Sequence, residues 1–128
     1  MHEPSAELDR LAHEVIGAAI EVHRILGPGF LERSYQRALS IELKLKDIPH
    51  TTESPVQLKY KGELIGEGRI DLLVAGQLVI ELKTVDTIAA IHEAQALAYL
   101  KATGDQLALI INFNTPILKE GIKRIIHS

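Results

Sequence analysis

The chain contains no cysteine and no tryptophan, and aromatic residues make up only 4% of its 128 residues. The lack of cysteine excludes disulfide bonds, thiolate metal ligands and a cysteine nucleophile, and it fits a reducing compartment. No apolar run is long enough to cross a bilayer. The N-terminal stretch carries Glu3, Glu7 and Asp9 and has no apolar signal-peptide core. We therefore expect a cytoplasmic protein that does not contact a membrane.

The chain also lacks a strongly basic balance, because its formal net charge is −3. Proteins that coat nucleic acid non-specifically are normally basic, so this charge argues against that class. It argues less against a small metal-dependent nuclease, whose acidic site residues are neutralised by the cation they hold. His13-Glu14 and His92-Glu93 begin like zinc-protease helices, but Gly17 and Ala96 stand where the second histidine is needed. Phosphate-binding glycine loops and a nucleophile-elbow serine are absent.

Length and composition predict one folded domain over residues 1–128, with 46% hydrophobic and 24% charged residues. We expect a frayed end over residues 1–5, with Ser5 available as a helix cap. The spacing of apolar residues predicts helices over about 6–26, 31–46 and 88–103, the last capped by Thr87. Further strand-like segments stand at about 49–53, 56–61, 63–74, 107–113 and 122–126.

The centre of the chain, residues 69–83, is predicted to be two apolar strands joined by a tight turn at Ala75-Gly76. Three ionisable residues interrupt these strands: Asp71 in the first, Glu81 and Lys83 in the second. Since strand side chains alternate between faces, Glu81 and Lys83 point the same way. A short hairpin brings Asp71 beside Glu81, which gives two carboxylates and one amine at a single point. That combination predicts a metal site with an adjacent cation.

Each of these candidates also has a structural explanation. Asp71, Glu81 and Lys83 are equally consistent with a cross-strand salt bridge at a half-exposed sheet edge. Glu32, in the first turn of the second helix, is favourable there through the helix dipole alone. Gln95 and Tyr99 lie one turn apart on the third helix, as they would if Tyr99 simply packed into the core with Gln95 at its edge.

Two motifs together resemble known protein families. Gly29-Phe30-Leu31-Glu32-Arg33-Ser34-Tyr35 is similar to the signature of the GxxExxY family. Asp71, then Glu81-Leu82-Lys83, then Gln95 to Tyr99 resemble the core of the PD-(D/E)XK nuclease superfamily, although Ile70 replaces the proline that often precedes the aspartate. The resemblance implies an α/β fold of restriction-endonuclease type, with a mixed central sheet flanked by helices.

The same resemblance implies roles for individual residues. Asp71, Glu81 and the backbone carbonyl of Leu82 would bind Mg²⁺ or Mn²⁺, with Glu32 completing the acidic cluster. Lys83 would act on the attacking water and Gln95 would bridge Lys83 and substrate.

The implied substrate is nucleic acid, with DNA favoured, and cleavage of two strands suggests a homodimer. Possible phosphate contacts are Tyr99, Arg69 and Lys61, and among the other basic residues Lys59, Lys119, Lys123 and Arg124. A competing hypothesis is a catalytically silent module of the same fold that binds nucleic acid or a partner protein. The intact Asp–Glu–Lys set favours the nuclease, whereas the acidic net charge favours the silent module.

Overall fold

The computed structural model describes residues 4–127. These residues form three α-helices, five strands and one short 3₁₀ turn. Their bounds are α1 Ala6–Leu26, α2 Glu32–Leu45, β1 His50–Tyr60, β2 Glu63–Val74, β3 Leu78–Lys83, α3 Ala90–Thr103, β4 Leu107–Asn112, a 3₁₀ turn Leu118–Gly121 and β5 Ile122–Ile126. No helix among these described residues is long and apolar enough to cross a membrane.

The five strands form one mixed sheet in the spatial order β1-β2-β3-β4-β5. β3 and β4 run parallel, with α3 as the crossover between them, and the remaining neighbours are antiparallel. β3 is therefore the central strand, and its burial on both faces explains its nearly continuous apolar sequence. This arrangement confirms the α/β, restriction-endonuclease-like fold with a mixed sheet flanked by helices.

Helices cover both faces of the sheet. α1 and α2 pack on one face in a large core that includes Tyr35 and Leu39. α3 packs on the other face in a smaller core around Ala96, Tyr99 and Leu100. Both cores are mainly aliphatic, as the shortage of aromatic residues requires.

Several local predictions agree with the structure and others do not. Ser5 caps α1 by accepting a hydrogen bond from the Leu8 N–H at 3.1 Å; of the predicted frayed end, residues 1–3 lie outside the described residues. Thr87 is not the cap of α3, which begins at Ala90 after Ala89. The two segments predicted near residues 49–61 are one strand, in which Glu53 has a positive φ of 50°. The sequence pattern predicted two separate segments here because it carries no information on how one strand pairs with another.

The connection between α1 and α2 is fixed by Tyr35. Its hydroxyl donates to the Gly27 carbonyl and accepts from the Phe30 N–H. Its ring stacks on Phe113 with centroids 4.3 Å apart and planes 8° from parallel. Gly29 has a φ of 112°, which a side chain would strain, so the turn requires glycine for its backbone angle. These contacts hold the N-terminal end of α2 against the sheet.

Candidate active site

The candidate site lies where β2 and β3 separate. The two strands pair at Val74↔Leu78, Leu73↔Val79 and Leu72↔Ile80, and no further pair follows. One residue beyond, the carboxylate of Asp71 accepts a hydrogen bond from the Leu82 N–H at 2.8 Å. A side chain thus takes the place of the backbone ladder, and the end of β3 is left open on its β2 side.

Side-chain alternation also breaks at Asp71. Ile70 packs in the α3 core, whereas Leu72, two residues along the same strand, packs in the α1–α2 core. In a regular strand both would share one face. β2 is therefore twisted at Asp71, and this twist lets its carboxylate reach the backbone of β3.

Glu81 is the most unusual ionisable group near this opening. Its side chain is 6% exposed, and its Oε1 atom has no hydrogen-bond partner among the described residues. Burial raises the pKa of Glu81 to about 9, the negative charge of Asp71 adds to the rise, and the nearby charge of Lys83 opposes it. A buried carboxyl oxygen without a partner is costly, and this cost makes Glu81 a candidate ligand residue at the opening.

Lys83 follows Glu81 at the end of β3, where it is half-buried. No ion pair joins Lys83 to Asp71 or Glu81 within the described residues. β3 is also central and not an edge strand. The alternative of a cross-strand salt bridge at a half-exposed sheet edge is therefore wrong, because β3 is a central strand and Lys83 forms no ion pair with either carboxylate within residues 4–127.

Glu32 is the first residue of α2 and its side chain is exposed. Its charge is one of the causes that raise the pKa of Glu81, so the N-terminal end of α2 lies on the side of the opening. α2 packs on the α1–α2 face through Tyr35 and Leu39. Glu32 therefore approaches from that face, while α3 covers the opposite one.

The two α3 residues predicted for the site differ in their surroundings. Gln95 is exposed and makes none of the side-chain hydrogen bonds found within residues 4–127. Tyr99 is 9% exposed and packs against β2, where a Cβ atom at Gly68 would lie 2.7 Å from Tyr99 Cε1. Core packing thus accounts for Tyr99, and Gly68 is required for its close approach.

The predicted phosphate contacts are separated along β2. Arg69 is exposed two residues before Asp71. Lys61 lies in the turn between β1 and β2, with its ammonium 5.4 Å from the Tyr60 ring centroid. Lys61 and Asp71 are ten positions apart, which corresponds to about 30 Å of extended strand, so Lys61 is not part of the cluster around Asp71.

The side chains themselves provide few metal ligands. Within residues 4–127, no three histidine or acidic side chains come together closely enough to hold a metal ion. Mg²⁺ does not need such a cage, because it commonly binds through one or two carboxylates and keeps several waters. Since the N–H and C=O of one strand residue point to the same side, the Leu82 carbonyl faces the opening with its N–H. Asp71, Glu81 and this carbonyl form an all-oxygen set that fits Mg²⁺ or Mn²⁺.

The profile of the PD-(D/E)XK nuclease superfamily matches residues 9–125 of the sequence. The chain belongs to the PD-(D/E)XK nuclease superfamily. An alkaline exonuclease from Laribacter hongkongensis, LHK-Exo, has a similar crystal structure, with a TM-score of 0.53 and 13% sequence identity. The likeness covers 100% of this chain and 73% of that one, and at this identity it shows the fold alone. A comparison with curated protein sequences gave no significant match.

Sequence patterns missed one buried polar residue beside the candidate site. Asn112 ends β4 beside Lys83 and is 2% exposed. Its side chain donates to the Val85 carbonyl at 2.7 Å and accepts from the Val85 N–H at 3.1 Å. These two bonds fix the chain that leaves Lys83. The available signal was a single amide at the end of the apolar run Leu107–Asn112, where a buried polar group needs partners.

Proposed function

We propose that this chain is a metal-dependent nuclease that hydrolyses phosphodiester bonds in nucleic acid, with DNA as the substrate. The observation that carries the proposal is the buried Glu81 carboxyl group, which has an unpartnered oxygen beside Asp71 at the open end of β3. A divalent cation supplies the missing partner and compensates the two adjacent negative charges. Superfamily membership supports the same chemistry.

We assign the binding of Mg²⁺ or Mn²⁺ to Asp71, Glu81 and the Leu82 carbonyl. When bound, such an ion activates a water and polarises the scissile phosphate as a Lewis acid. The Leu82 N–H holds the Asp71 carboxylate in position, so one of its oxygens is already oriented by the backbone. Because Glu81 retains its proton to about pH 9 without metal, it would have to lose that proton to act as a metal ligand.

Lys83 is the proposed group that orients the attacking water and stabilises charge on the phosphate. It suits this role because no carboxylate neutralises it in an ion pair within the described residues. Glu32 is proposed to act at the same cluster from the N-terminal end of α2, through a water or a second metal. Gln95, exposed on α3, is proposed to turn toward Lys83 and the substrate when nucleic acid binds.

Narrower assignments also belong to this proposal. From its sequence, the Gly29–Tyr35 segment is proposed to be the signature of the GxxExxY family. We propose that residues 1–128 act as one domain and that Arg69 and Tyr99 lie near the bound strand. A homodimer stays a prediction, for which the exposed alanines of α3, Ala94 and Ala98, offer a contact surface.

The second candidate is a silent module that binds nucleic acid or a partner protein without cutting. The net charge of −3 and the exposed, unbonded Gln95 favour it. A cleavage assay separates the two functions. Purified protein is incubated with plasmid, linear duplex, single-stranded DNA and RNA, with Mg²⁺, Mn²⁺ or EDTA, beside Asp71→Asn protein prepared identically.

For a nuclease, we expect cleavage with Mg²⁺ or Mn²⁺ that EDTA and Asp71→Asn both abolish. The same ions should raise the melting temperature of the wild type and not of the variant, because a ligand that binds only the folded state stabilises it. Equal cleavage by the variant would assign the activity to a contaminant. Nucleic-acid binding without cleavage under any of these conditions would favour the silent module.

A further inference from the structure

A polar cavity lies between α2 and β1, outside the acidic cluster. Its volume is about 430 Å³, within the range of pockets that hold small molecules. The cavity is lined by Arg33, Gln36, Arg37, Ser40, Ile41 and Thr52. Arg33 and Arg37 are one helical turn apart and so share a face of α2. No carboxylate is among the residues that line this cavity, which makes it locally basic in an acidic protein.

Both arginines are free to bind a ligand. Neither Arg33 nor Arg37 takes part in an ion pair or a side-chain hydrogen bond within residues 4–127, whereas Arg24 and Arg124 each bond a carboxylate. Two unpaired guanidinium groups on one face raise each other's electrostatic energy. An anion relieves this repulsion, and a guanidinium fork matches the oxygens of a phosphate in particular.

The hydroxyl of Ser40 does not offer its proton to the cavity. The Nδ1 atom of His50 lies 3.0 Å from the Ile48 carbonyl, which can only accept, so Nδ1 carries the ring proton. Nε2 of His50 therefore accepts, and the Ser40 hydroxyl donates to it at 2.7 Å. The donors left for an anion are the two arginines, with Gln36 and Thr52 beside them.

The cavity adjoins the candidate active site. Arg33 directly follows Glu32, whose charge acts on Glu81. On the opposite wall, Thr52 pairs with Leu72, the residue next to Asp71. The cavity therefore lies beside the acidic cluster and extends along α2 from the residue that follows Glu32.

We infer that this cavity binds a backbone phosphate of the nucleic-acid strand, next to the phosphodiester that is cut. The inference rests on the proposed function, from which it takes nucleic acid as the substrate class. It adds the path of the bound strand, which runs along α2 from Glu32 towards Arg37. It also explains how a protein of net charge −3 holds a polyanion, since binding depends on a local pair of arginines and not on a wide basic surface.

The test compares two double variants that remove the same charge. Arg33→Gln with Arg37→Gln neutralises the cavity, while Arg10→Gln with Lys46→Gln removes two exposed cations elsewhere on α1 and at the end of α2. Binding of a labelled oligonucleotide is measured by fluorescence anisotropy in EDTA over a range of salt concentrations. Unchanged melting temperatures verify that both variants are folded.

We expect the cavity variant to bind about tenfold more weakly or worse, and its salt slope to fall by about 1 for each arginine that contacts a phosphate. The control variant should stay near the wild type in slope. Identical affinity and slope in the two variants would overturn the inference, and so would a wild type that does not bind in EDTA at any salt concentration.

A parallel cleavage assay with Mg²⁺ keeps the two proposals separate. Arginine-dependent binding without cleavage would remove the nuclease proposal and leave the phosphate site in place. Cleavage by the cavity variant with the kinetic constants of the control would remove the phosphate site and leave the nuclease proposal. If both hold, the cavity variant should show a raised KM with a smaller change in kcat, because the arginines bind the strand away from the reacting atoms.

Discussion

The β2–β3 hairpin contains two halves of opposite character within a few residues. In the half near the turn, three consecutive apolar pairs complete the ladder from Val74↔Leu78 to Leu72↔Ile80. In the other half, the ladder is replaced by a single bond from the Leu82 N–H to Asp71, and a carboxyl oxygen of Glu81 is left without a partner. The paired half contributes to folding stability, whereas the open half reduces it by leaving a buried carboxyl oxygen without a partner.

Neighbouring residues of β3 give the largest contrast. Ile80→Ala removes a fully buried side chain from the paired half, and we expect the free energy of unfolding to fall by about 2–5 kcal/mol. Glu81→Gln, one residue along, should raise the stability of the metal-free protein at pH 8 by on the order of 1 kcal/mol or more, because folding of the variant requires no uptake of a proton at this position. Urea unfolding in EDTA measures both changes.

Activity should follow the opposite order. Glu81→Gln should lower cleavage by on the order of 10³-fold or more, since a metal ion contributes several kcal/mol of transition-state stabilisation. Ile80→Ala should retain cleavage at temperatures where it is folded. If Glu81→Gln destabilised the metal-free protein as Ile80→Ala does, the open half would be ordinary core and the contrast between the halves would fail.

Lys83→Ala tests whether the open half contains a catalytic amine. We expect cleavage to fall on the order of 10²-fold or more at saturating Mn²⁺, as for general acid–base groups, while the rise in melting temperature caused by Mn²⁺ persists. Lys101→Ala, which removes an exposed lysine of α3, is the control and should cut like the wild type. Unchanged turnover in Lys83→Ala would assign this lysine to a structural role.

The pH dependence of stability distinguishes the two halves without any cleavage assay. The unfolded chain releases the Glu81 proton near the ordinary pKa of 4.5, whereas the folded metal-free protein retains it to about 9. The unfolded state therefore binds fewer protons between these values, and stability falls as the pH rises through that window. The slope reaches about 1.4 kcal/mol per pH unit.

Urea unfolding in EDTA between about pH 6 and 9 measures that slope. Glu81→Gln should flatten it, while a conservative change in the paired half, Leu73→Met, should shift the whole curve and keep the slope. A wild-type curve with no fall over this range would show that Glu81 titrates normally and that its surroundings are hydrated.

The structure of the paired half could be predicted from the sequence. For the open half, the sequence predicted the position in the chain but not the geometry. Two apolar runs and a tight turn at Ala75-Gly76 were sufficient to place β2 and β3, and both turn residues have positive φ. The predicted meeting of Asp71 and Glu81 agrees with the effect of Asp71 on the pKa of Glu81. The end of the ladder and the break in alternation at Asp71 depend on strand twist and on packing against both helical layers, which no local pattern encodes.

Residues on helices were harder to place than residues on strands. The spacing of Gln95 and Tyr99 predicted a shared face, but it did not predict that one would be exposed and the other packed on Gly68. Asn112 was missed because its partner, Val85, lies 27 positions away in a loop. Helical periodicity determines which side chains face the protein, whereas the distance of each from the site depends on how the helix is docked.

The smallest expected effect concerns Glu32, which lies on α2 and acts on the open half only through the effect of its charge on Glu81. Its charge raises the pKa of Glu81 by less than the charge of Asp71 does, so Glu32→Gln should lower that pKa by less than Asp71→Asn does. The loss of a favourable charge at the N-terminal end of α2 should cost about 0.3–1 kcal/mol of stability. A matched change on α1, Glu7→Gln, stands at a similar position in its own helix and should cost a similar amount.

What separates the two variants is the midpoint of the pH-dependent loss of stability, which Glu32→Gln should move to lower pH and Glu7→Gln should not. If the two variants agreed in midpoint as well as in stability, Glu32 would be a helix-end charge alone, and the open half would consist of Asp71, Glu81 and Lys83.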